Sequence, residues 1–368
     1  MEKDLELLRK DLIALSLVPG IGPKGMRGLL DRAGSLDGLL GMTDSEIRSI
    51  TGKLADPGLI RQAKSSPAVL EEEAFLEKNG ITALTEPDDR YPALLKEIHD
   101  PPPVLFVKGE FFPDDVLSIA IVGSRRCSVY GLRMAEKLAY DLASRGVTVI
   151  SGMARGIDSA AHAGAIKAGG RTIAVLGSGL GNIYPPESNR LASKIAENGA
   201  VVTEFPSLTP PMRSNFPRRN RVISGLSAAV VVVEANDRSG ALITADLALD
   251  QGRDVYAVPG QADSASSRGT NRLLKSGAGL VTSADDILEA LGERVKTARE
   301  GGSYGTKKRT PETPEEGKAF LAFEGEERVH IDVISEKSGL GLKTAETLVR
   351  MQLKGLVKAV PGGFYTIT

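Results

Sequence analysis

The sequence predicts an α/β fold: a parallel sheet covered by helices on both faces, with a helical region before it and a helix-turn-helix with a β wing after it. Three observations carry the prediction. Short apolar runs recur through residues 118–291, most of them separated by 10 to 20 residues of helix-like pattern. The runs are continuously apolar rather than alternating, as in strands buried on both faces. The chain has 368 residues, enough for about two to three domains of ~150 residues each.

Residues 1–80 read as helical. Thr43-Asp44-Ser45-Glu46 fits a capping box, in which Thr accepts a backbone N–H and Glu reaches back. Ser66-Pro67 opens a further helix and Gly80 closes it. Between two apolar-periodic helices lies Val18-Pro19-Gly20-Ile21-Gly22-Pro23-Lys24-Gly25. This is the glycine-rich turn of helix-hairpin-helix modules, which grip DNA phosphates. A plain packing turn fits equally, because Lys24 and Arg27 are the nearby cations.

Residues 81–117 are transitional, with strands at 81–85 and 104–107 beside the turn-rich Glu86-Pro87-Asp88-Asp89 and Asp100-Pro101-Pro102-Pro103. The regular strands then fall at 119–122, 147–150, 172–176, 200–203, 228–233, 254–258 and 279–281. Helices between them include 133–145, 156–168 and 241–251. Residues 292–317 hold one Val and one Tyr against six Lys/Arg and five Glu, so they cannot bury a core and read as a flexible linker. In 318–368, Asp332 is the expected N-cap of a helix running to Gly339. A second helix at 343–353 and a two-stranded wing at 356–360 and 364–367 complete a winged-helix pattern. Lys343, Arg350, Lys354 and Lys358 would face DNA there, though Glu346 dilutes that face and protein docking fits equally.

Composition narrows the function. Apolar residues make up 41%, which excludes wholesale disorder. Lys plus Arg number 46 and Asp plus Glu 47, so the chain is not globally basic, and any nucleic-acid site must be a local patch. One cysteine, Cys127, excludes a disulfide framework and points to a reducing compartment. Three histidines and that cysteine make no metal-ligand cluster. The charged N-terminus is no signal peptide, and the longest buried-looking run, 228–233, is far short of the ~20 residues of a membrane helix. A cytoplasmic protein without membrane segment, metal or cofactor is expected.

In an open parallel sheet, ligands bind beyond the carboxyl ends of the strands. The residues there are Gly123-Ser124-Arg125-Arg126, then Ser151-Gly152-Met153-Ala154-Arg155-Gly156, then Gly177-Ser178-Gly179-Leu180-Gly181, and Glu234 through Ser239-Gly240. Such loops offer backbone N–H groups and cations to phosphate. Each alone is equally a tight turn that needs glycine. Gly177-x-Gly179-x-Gly181 is not GxGxxG, and no Walker motif occurs. Asn215-Phe216-Pro217-Arg218-Arg219-Asn220-Arg221 is the sharpest segment; with Arg213 it carries four Arg and no acid. Arg suits phosphate and stacks on bases. The competing reading is a solvated helix face, or Arg paired with Glu204 and Glu234.

Catalysis has weaker support. Ser151, Ser178 and His162 assemble on paper as nucleophile and base, but His162 falls inside the predicted helix 156–168, where a core or capping role fits better. Cys127 follows two Arg, which would lower its pKa.

Several segments, in order, resemble one family. They are Ile121-Val122-Gly123-Ser124-Arg125, Ser151-Gly152-x-Ala154-x-Gly156-Ile157-Asp158-x-x-Ala161-His162, Gly177-x-Gly179 to Tyr184-Pro185, Asn215-Phe216-Pro217-x-Arg219-Asn220-Arg221-x-Ile223-Ser224-Gly225, Ser239-Gly240-x-Leu242, and Gly269-Thr270-Asn271-x-Leu273. Together they are similar to the DprA/Smf DNA-processing proteins. The resemblance covers nearly the whole chain. It implies a SAM-like helical domain over 1–80, an extended Rossmann-like domain over 81–291, the linker 292–317 and a winged helix over 318–368. It also implies a non-enzymatic role: binding and protecting incoming single-stranded DNA in natural transformation, dimerising, and loading the RecA recombinase.

The family's DNA pocket lies at the Gly-Ser-Arg loop, so Arg125 carries over directly. Phosphate contacts are expected from Arg125, Arg126, Arg155, Arg218, Arg219 and Arg221, with Lys275 as an outer contact. Close backbone approach is expected at Gly123, Ser124, Gly152, Gly177 and Gly179; Ser151, Ser178, Asn220 and Ser239 complete the set. The family often has Lys after Tyr-Pro, whereas this chain has Tyr184-Pro185-Pro186-Glu187, with Arg190 as the candidate replacement. The rival is a nucleotide phosphoribohydrolase of the lysine-decarboxylase-like type, with a Pro-Gly-Gly-x-Gly-Thr loop that Pro259-Gly260 to Gly269-Thr270 resembles superficially. Here the spacer is longer and Asn271 stands where Glu is expected. A third reading is a protein-binding adaptor.

Overall fold

The computed structural model describes residues 2–112, 115, 117–292, 313–323, 328–353, 356–360 and 362–367. Among them, α1 Glu2–Ser16, α2 Pro23–Ala33, α3 Asp44–Thr51, α4 Pro57–Gln62 and α5 Pro67–Asn79 precede the first strand. Thr43 and Glu46 form the expected capping box on α3. Gly80 ends α5 at φ 61°, a left-handed turn that glycine makes without steric cost.

The sheet follows. Its strands are β1 Ile81–Thr85, β2 Val104–Gly109, β3 Ser118–Val122, β4 Thr148–Ser151, β5 Thr172–Val175, β6 Ala200–Thr203, β7 Ala229–Val232, β8 Asp254–Ala257 and β9 Gly279–Leu280. They lie in the order β1-β2-β6-β5-β4-β3-β7-β8-β9. From β6 to β9 every neighbouring pair is parallel, as the apolar runs predict. β2 pairs antiparallel with β6, and β1 with β2, so the sheet is mixed rather than parallel throughout. Between β1 and β2 the only helix is the four-residue α6 Ala93–Lys96, too short for the crossover a parallel pair requires.

Alternate residues of each strand enter opposite cores. Ile119, Ile121 and Val149 pack with α7 Val129–Ala143 and α8 Ile157–Lys167. Ala120, Val122 and Val232 pack on the other face with α10 Asn215–Gly225 and α11 Gly240–Asp250. That two-sided burial explains the absence of alternation. α9 Asn189–Asn198, α12 Arg268–Lys275 and α13 Ala284–Leu291 complete this part of the chain.

The chain divides into two compact units, Met1–Ser303 and Tyr304–Thr368. The second holds helices Pro314–Leu321, Ile331–Ser338 and Thr344–Leu353, with β10 Val329–His330, β11 Val357–Val360 and β12 Phe364–Ile367. Its sheet has three strands, β10-β12-β11, not the two expected. His330, not Asp332, is the N-cap: its Nδ1 accepts the Asp332 N–H at 3.3 Å. Asp332 stands two residues further in, within the first turn, where its charge still suits the helix N-terminus. Most of the expected linker, residues 293–312, lies outside the described residues, and helix Pro314–Leu321 begins within its expected end. Lys354 also lies outside them, as does the side chain of Lys358; Lys343 is exposed, and Arg350 pairs with Glu346 at 3.5 Å. Among the described residues no helix is long and apolar enough to cross a membrane, and no cluster of metal-ligating side chains occurs.

Candidate nucleic-acid interface

The loops at the carboxyl ends of β3 to β7 form one edge, and their glycines let backbone and rings approach. A Cβ at Gly123 would lie 2.6 Å from Ile157 and 2.9 Å from the Glu234 carbonyl. One at Gly152 would lie 2.7 Å from the Arg219 guanidinium, and one at Gly177 would lie 2.8 Å from the Phe216 ring. The sequence reading expected exposed N–H groups here, yet several are already used. Ser124 N–H donates to Glu234 O at 2.7 Å, Gly179 N–H to Thr209 O at 2.9 Å and Gly181 N–H to Ser207 O at 2.8 Å. The last two zip the loop after β5 to the loop after β6. Glu72 of α5 braces that pair by accepting the Ser207 N–H and hydroxyl, both at 2.8 Å.

Strand order reverses between β3 and β7, where an open α/β sheet usually offers a helix N-terminus to phosphate. Here that position holds the chain's own carboxylate. Glu234 is buried and accepts the Ser128 N–H at 3.0 Å together with the Ser128 hydroxyl. Gly131 leaves room for it, since a Cβ there would lie 2.5 Å from Glu234 Oε2. A phosphate at the start of α7 would meet a like charge, so this crossover is no mononucleotide cradle.

The Arg-rich segment splits into inner and outer positions. Arg219 is 4% exposed and donates to Gly152 O at 2.7 Å and to Val175 O. It therefore ties α10 to the ends of β4 and β5. Burial lowers its pKa to about 10, which leaves it charged at neutral pH. Buried Asp158 is its electrostatic partner: desolvation pushes that carboxyl up, while Arg219 draws it down. Arg221 pairs with Glu204 at 2.6 Å, as the competing reading allowed. Asn220 donates to Gly240 O at 3.3 Å, and Ser239 caps α11 through the Ala241 N–H. Arg218 is exposed, 3.7 Å from Glu204 and over the Phe205 ring.

The paper nucleophile–base set does not form. Ser151 is buried and its hydroxyl donates to Ile121 O at 2.6 Å. His162 Nδ1 lies 2.7 Å from Thr172 Oγ1, which itself donates to Val149 O, so the ring carries its proton on Nδ1. Burial holds the His162 pKa at about 3, which keeps the ring neutral. Ser178 is buried, and its hydroxyl has no hydrogen-bond partner among the described residues. The Cys127 thiol is pushed up, by burial and then by Glu234, against the expected lowering by its Arg neighbours. Asn271, at the rival enzyme's Glu position, clamps Gly260 through its amide at 3.2 and 3.1 Å.

What remains outward is a cation and aromatic surface. The exposed Arg125 guanidinium lies 4.8 Å above the Phe216 ring. Tyr184 is exposed and tilts against Phe216, with centroids 5.9 Å apart. Arg126 is exposed beside them. Arg155 is exposed but paired with Glu187 at 2.5 Å, so the acid that departs from the family pattern neutralises a cation at this edge. Lys275 is exposed on α12 together with Arg268 and Arg272. Their i, i+4, i+7 spacing puts all three on one helix face. Sequence reasoning singled out Lys275 and overlooked the other two, although that spacing was the available signal. Arg272 also reaches Asp237 at 3.4 Å, next to exposed Arg238.

Comparison with known proteins agrees with this architecture. The family model described as DNA recombination-mediator protein A matches residues 82–292, more than half of the chain. Protein Smf of Escherichia coli is 42% identical over 295 residues, covering 79% of this chain and 78% of that protein. The X-ray structure of DNA processing protein A from Streptococcus pneumoniae superposes with a TM-score of 0.64 at 34% identity, covering 78% of this chain and 97% of that one. A structure of DNA processing protein A from Helicobacter pylori, described for its single-stranded DNA binding mode, gives 0.53 at 29% identity, covering 58% and 96%. The chain belongs to the DNA recombination-mediator protein A family, the DprA/Smf proteins.

Proposed function

We propose that this chain binds single-stranded DNA along the carboxyl edge of its sheet and acts there as a recombination mediator. The observation that carries the reading is the exposed Arg125 guanidinium stacked on Phe216 beside Tyr184. An exposed cation over the half-buried Phe216 ring and next to the exposed Tyr184 ring suits phosphate and base together, without regard to sequence. The Helicobacter pylori relative's single-stranded DNA binding supports the same reading.

In this proposal Arg125, Arg126, Arg155 and Arg218 touch phosphates, and Lys275 with Arg268 and Arg272 extends the track. Arg219, Arg221 and Asn220 hold the floor rigid from inside. Gly123, Ser124, Ser151, Gly152, Gly177, Ser178, Gly179 and Ser239 shape that floor. The role is binding, not turnover. Protection of incoming strands, hand-over to RecA, a homodimer and a cytoplasmic setting complete it. The N-terminal helices would serve as a SAM-like domain and the C-terminal unit as a winged helix. Fluorescence anisotropy with labelled oligo-dT tests the reading: Arg125→Ala should weaken binding about tenfold, and unchanged affinity would remove the platform from the site.

A further inference from the structure

The carboxyl edge of the sheet carries a further exposed ring, at the start of α7. Tyr130 and Tyr184 are 39% and 38% exposed. The Tyr130 hydroxyl donates to Pro259 O at 3.1 Å. Ser128, just before it, is fixed to Glu234 through its N–H and its hydroxyl. The ring is thus held by the backbone beneath it and by its own hydroxyl, and it remains open to solvent. Tyr130 follows β3, Pro259 follows β8, and β7 lies between those two strands. The side chain therefore bridges the end of β7. Gly260, next to Pro259, is clamped by the Asn271 amide of α12. The Gly269 N–H of α12 donates to Ala235 O at 2.8 Å, and Ser124 N–H donates to the adjoining Glu234 O at 2.7 Å. The Gly-Ser-Arg loop, Tyr130 and the start of α12 form one hydrogen-bonded rim.

We infer that Tyr130 is a second stacking station for single-stranded DNA. The DNA then runs sideways across the β-strand ends, from the Tyr184–Phe216 pair over Arg125 and Arg126 to Tyr130. The sheet order sets the sequence of stations. Phe216 rests over Gly177 after β5, Arg125 and Arg126 follow β3, and Tyr130 reaches the end of β8. In the order β5-β4-β3-β7-β8 that is four spacings, about 19 Å at ~4.8 Å each. Such a span takes several nucleotides, with cations in the middle and a ring at each end. A ring already fixed loses little freedom when a base lies on it. Stacking there is indifferent to base identity. The inference deepens the single-strand reading and rests on it.

The chain contains no Trp, so a Trp placed at one station reports on that station alone. The test titrates Tyr184→Trp, Tyr130→Trp and Tyr140→Trp, each in the full chain, with oligo-dT. Tyr140 is exposed in the last turn of α7, about 15 Å from Tyr130 at ~1.5 Å per residue. Fluorescence of the first two should be quenched together, and that of Tyr140→Trp should not change. Quenching at one station alone would overturn the two-station path; if that station is Tyr184→Trp, the single-strand reading still stands. Quenching at neither station would overturn that reading as well. Equal quenching at all three positions would overturn a path confined to the edge. Anisotropy gives a readout without Trp. Tyr130→Ala should weaken oligo-dT binding about tenfold. Tyr130→Phe, which keeps the ring and deletes the hydrogen bond to Pro259, should restore most of the affinity. A Phe variant as weak as the Ala variant would make Tyr130 a mere brace of the rim and overturn the stacking.

Discussion

Arg125 and Arg219 show how differently one residue type is used within a single site. Arg219 is enclosed and bonded to two carbonyls; Arg125 stands in solvent over a ring. Truncating a buried, bonded charge leaves its partners unsatisfied, so Arg219→Ala should cost about 3 kcal/mol in urea unfolding. Arg125→Ala should stay within about 0.5 kcal/mol in the same assay and lose DNA affinity instead. Equal stability losses for both would contradict the division. The sequence could not make that division, because both arginines stand three places from a buried valine, Val122 and Val222, and read alike until the helix is docked. His162 was legible as a core residue from its place on a predicted helix. Its depressed pKa, about 3 against an ordinary 6.5, has a defined sign. The unfolded chain takes up the proton first, so this contribution is full above pH 6.5 and declines as pH falls toward 3. From pH 7 to pH 5 the loss should be about 2 kcal/mol. His162→Gln keeps a donor for Thr172 and should flatten that part of the profile; an unchanged slope would show the ring is not the titrating group.

Among the elements, the seven parallel strands were legible because burial on both faces writes continuous apolar runs. The antiparallel β1 and β2 were found as strands, but their direction was not, since pairing direction depends on how short the α6 connection is. The helix N-termini were misread more instructively. Glycine-rich loops before helices signal anion sites on average, but Glu234 occupies the start of α7 and carbonyls of the loop after β6 occupy Gly179 and Gly181. A long-range hydrogen bond between residues 128 and 234 leaves no local trace in sequence. On the cationic face of α12, replacing Arg268, Arg272 and Lys275 together by Ala should reduce the salt dependence of strand binding by about two units of slope, at ~0.7 per phosphate. An unaltered slope would take α12 off the DNA path. Gly179→Ala should loosen the braced loops, because a Cβ there meets the Pro206 and Ser207 carbonyls within 2.2 Å. Faster amide exchange across residues 177–182 is the expected readout, and native protection would show the ladder is not tight.

At the scale of the molecule, a chain of net charge −1 can still bind a polyanion because its cations are sorted. Arg221 and Arg219 turn inward to Glu204 and Asp158, and Arg155 pairs at the surface with Glu187, while Arg125, Arg126 and the α12 face stay outward. Such a surface should grip the flexible backbone and splayed bases of a single strand and give little purchase to a stacked duplex. The most direct measurement is anisotropy of labelled oligo-dT against the matched duplex through a salt series. The account predicts tight single-strand binding that weakens steeply with salt, with duplex binding much weaker throughout. Equal affinity for both, or single-strand affinity indifferent to salt, would contradict it.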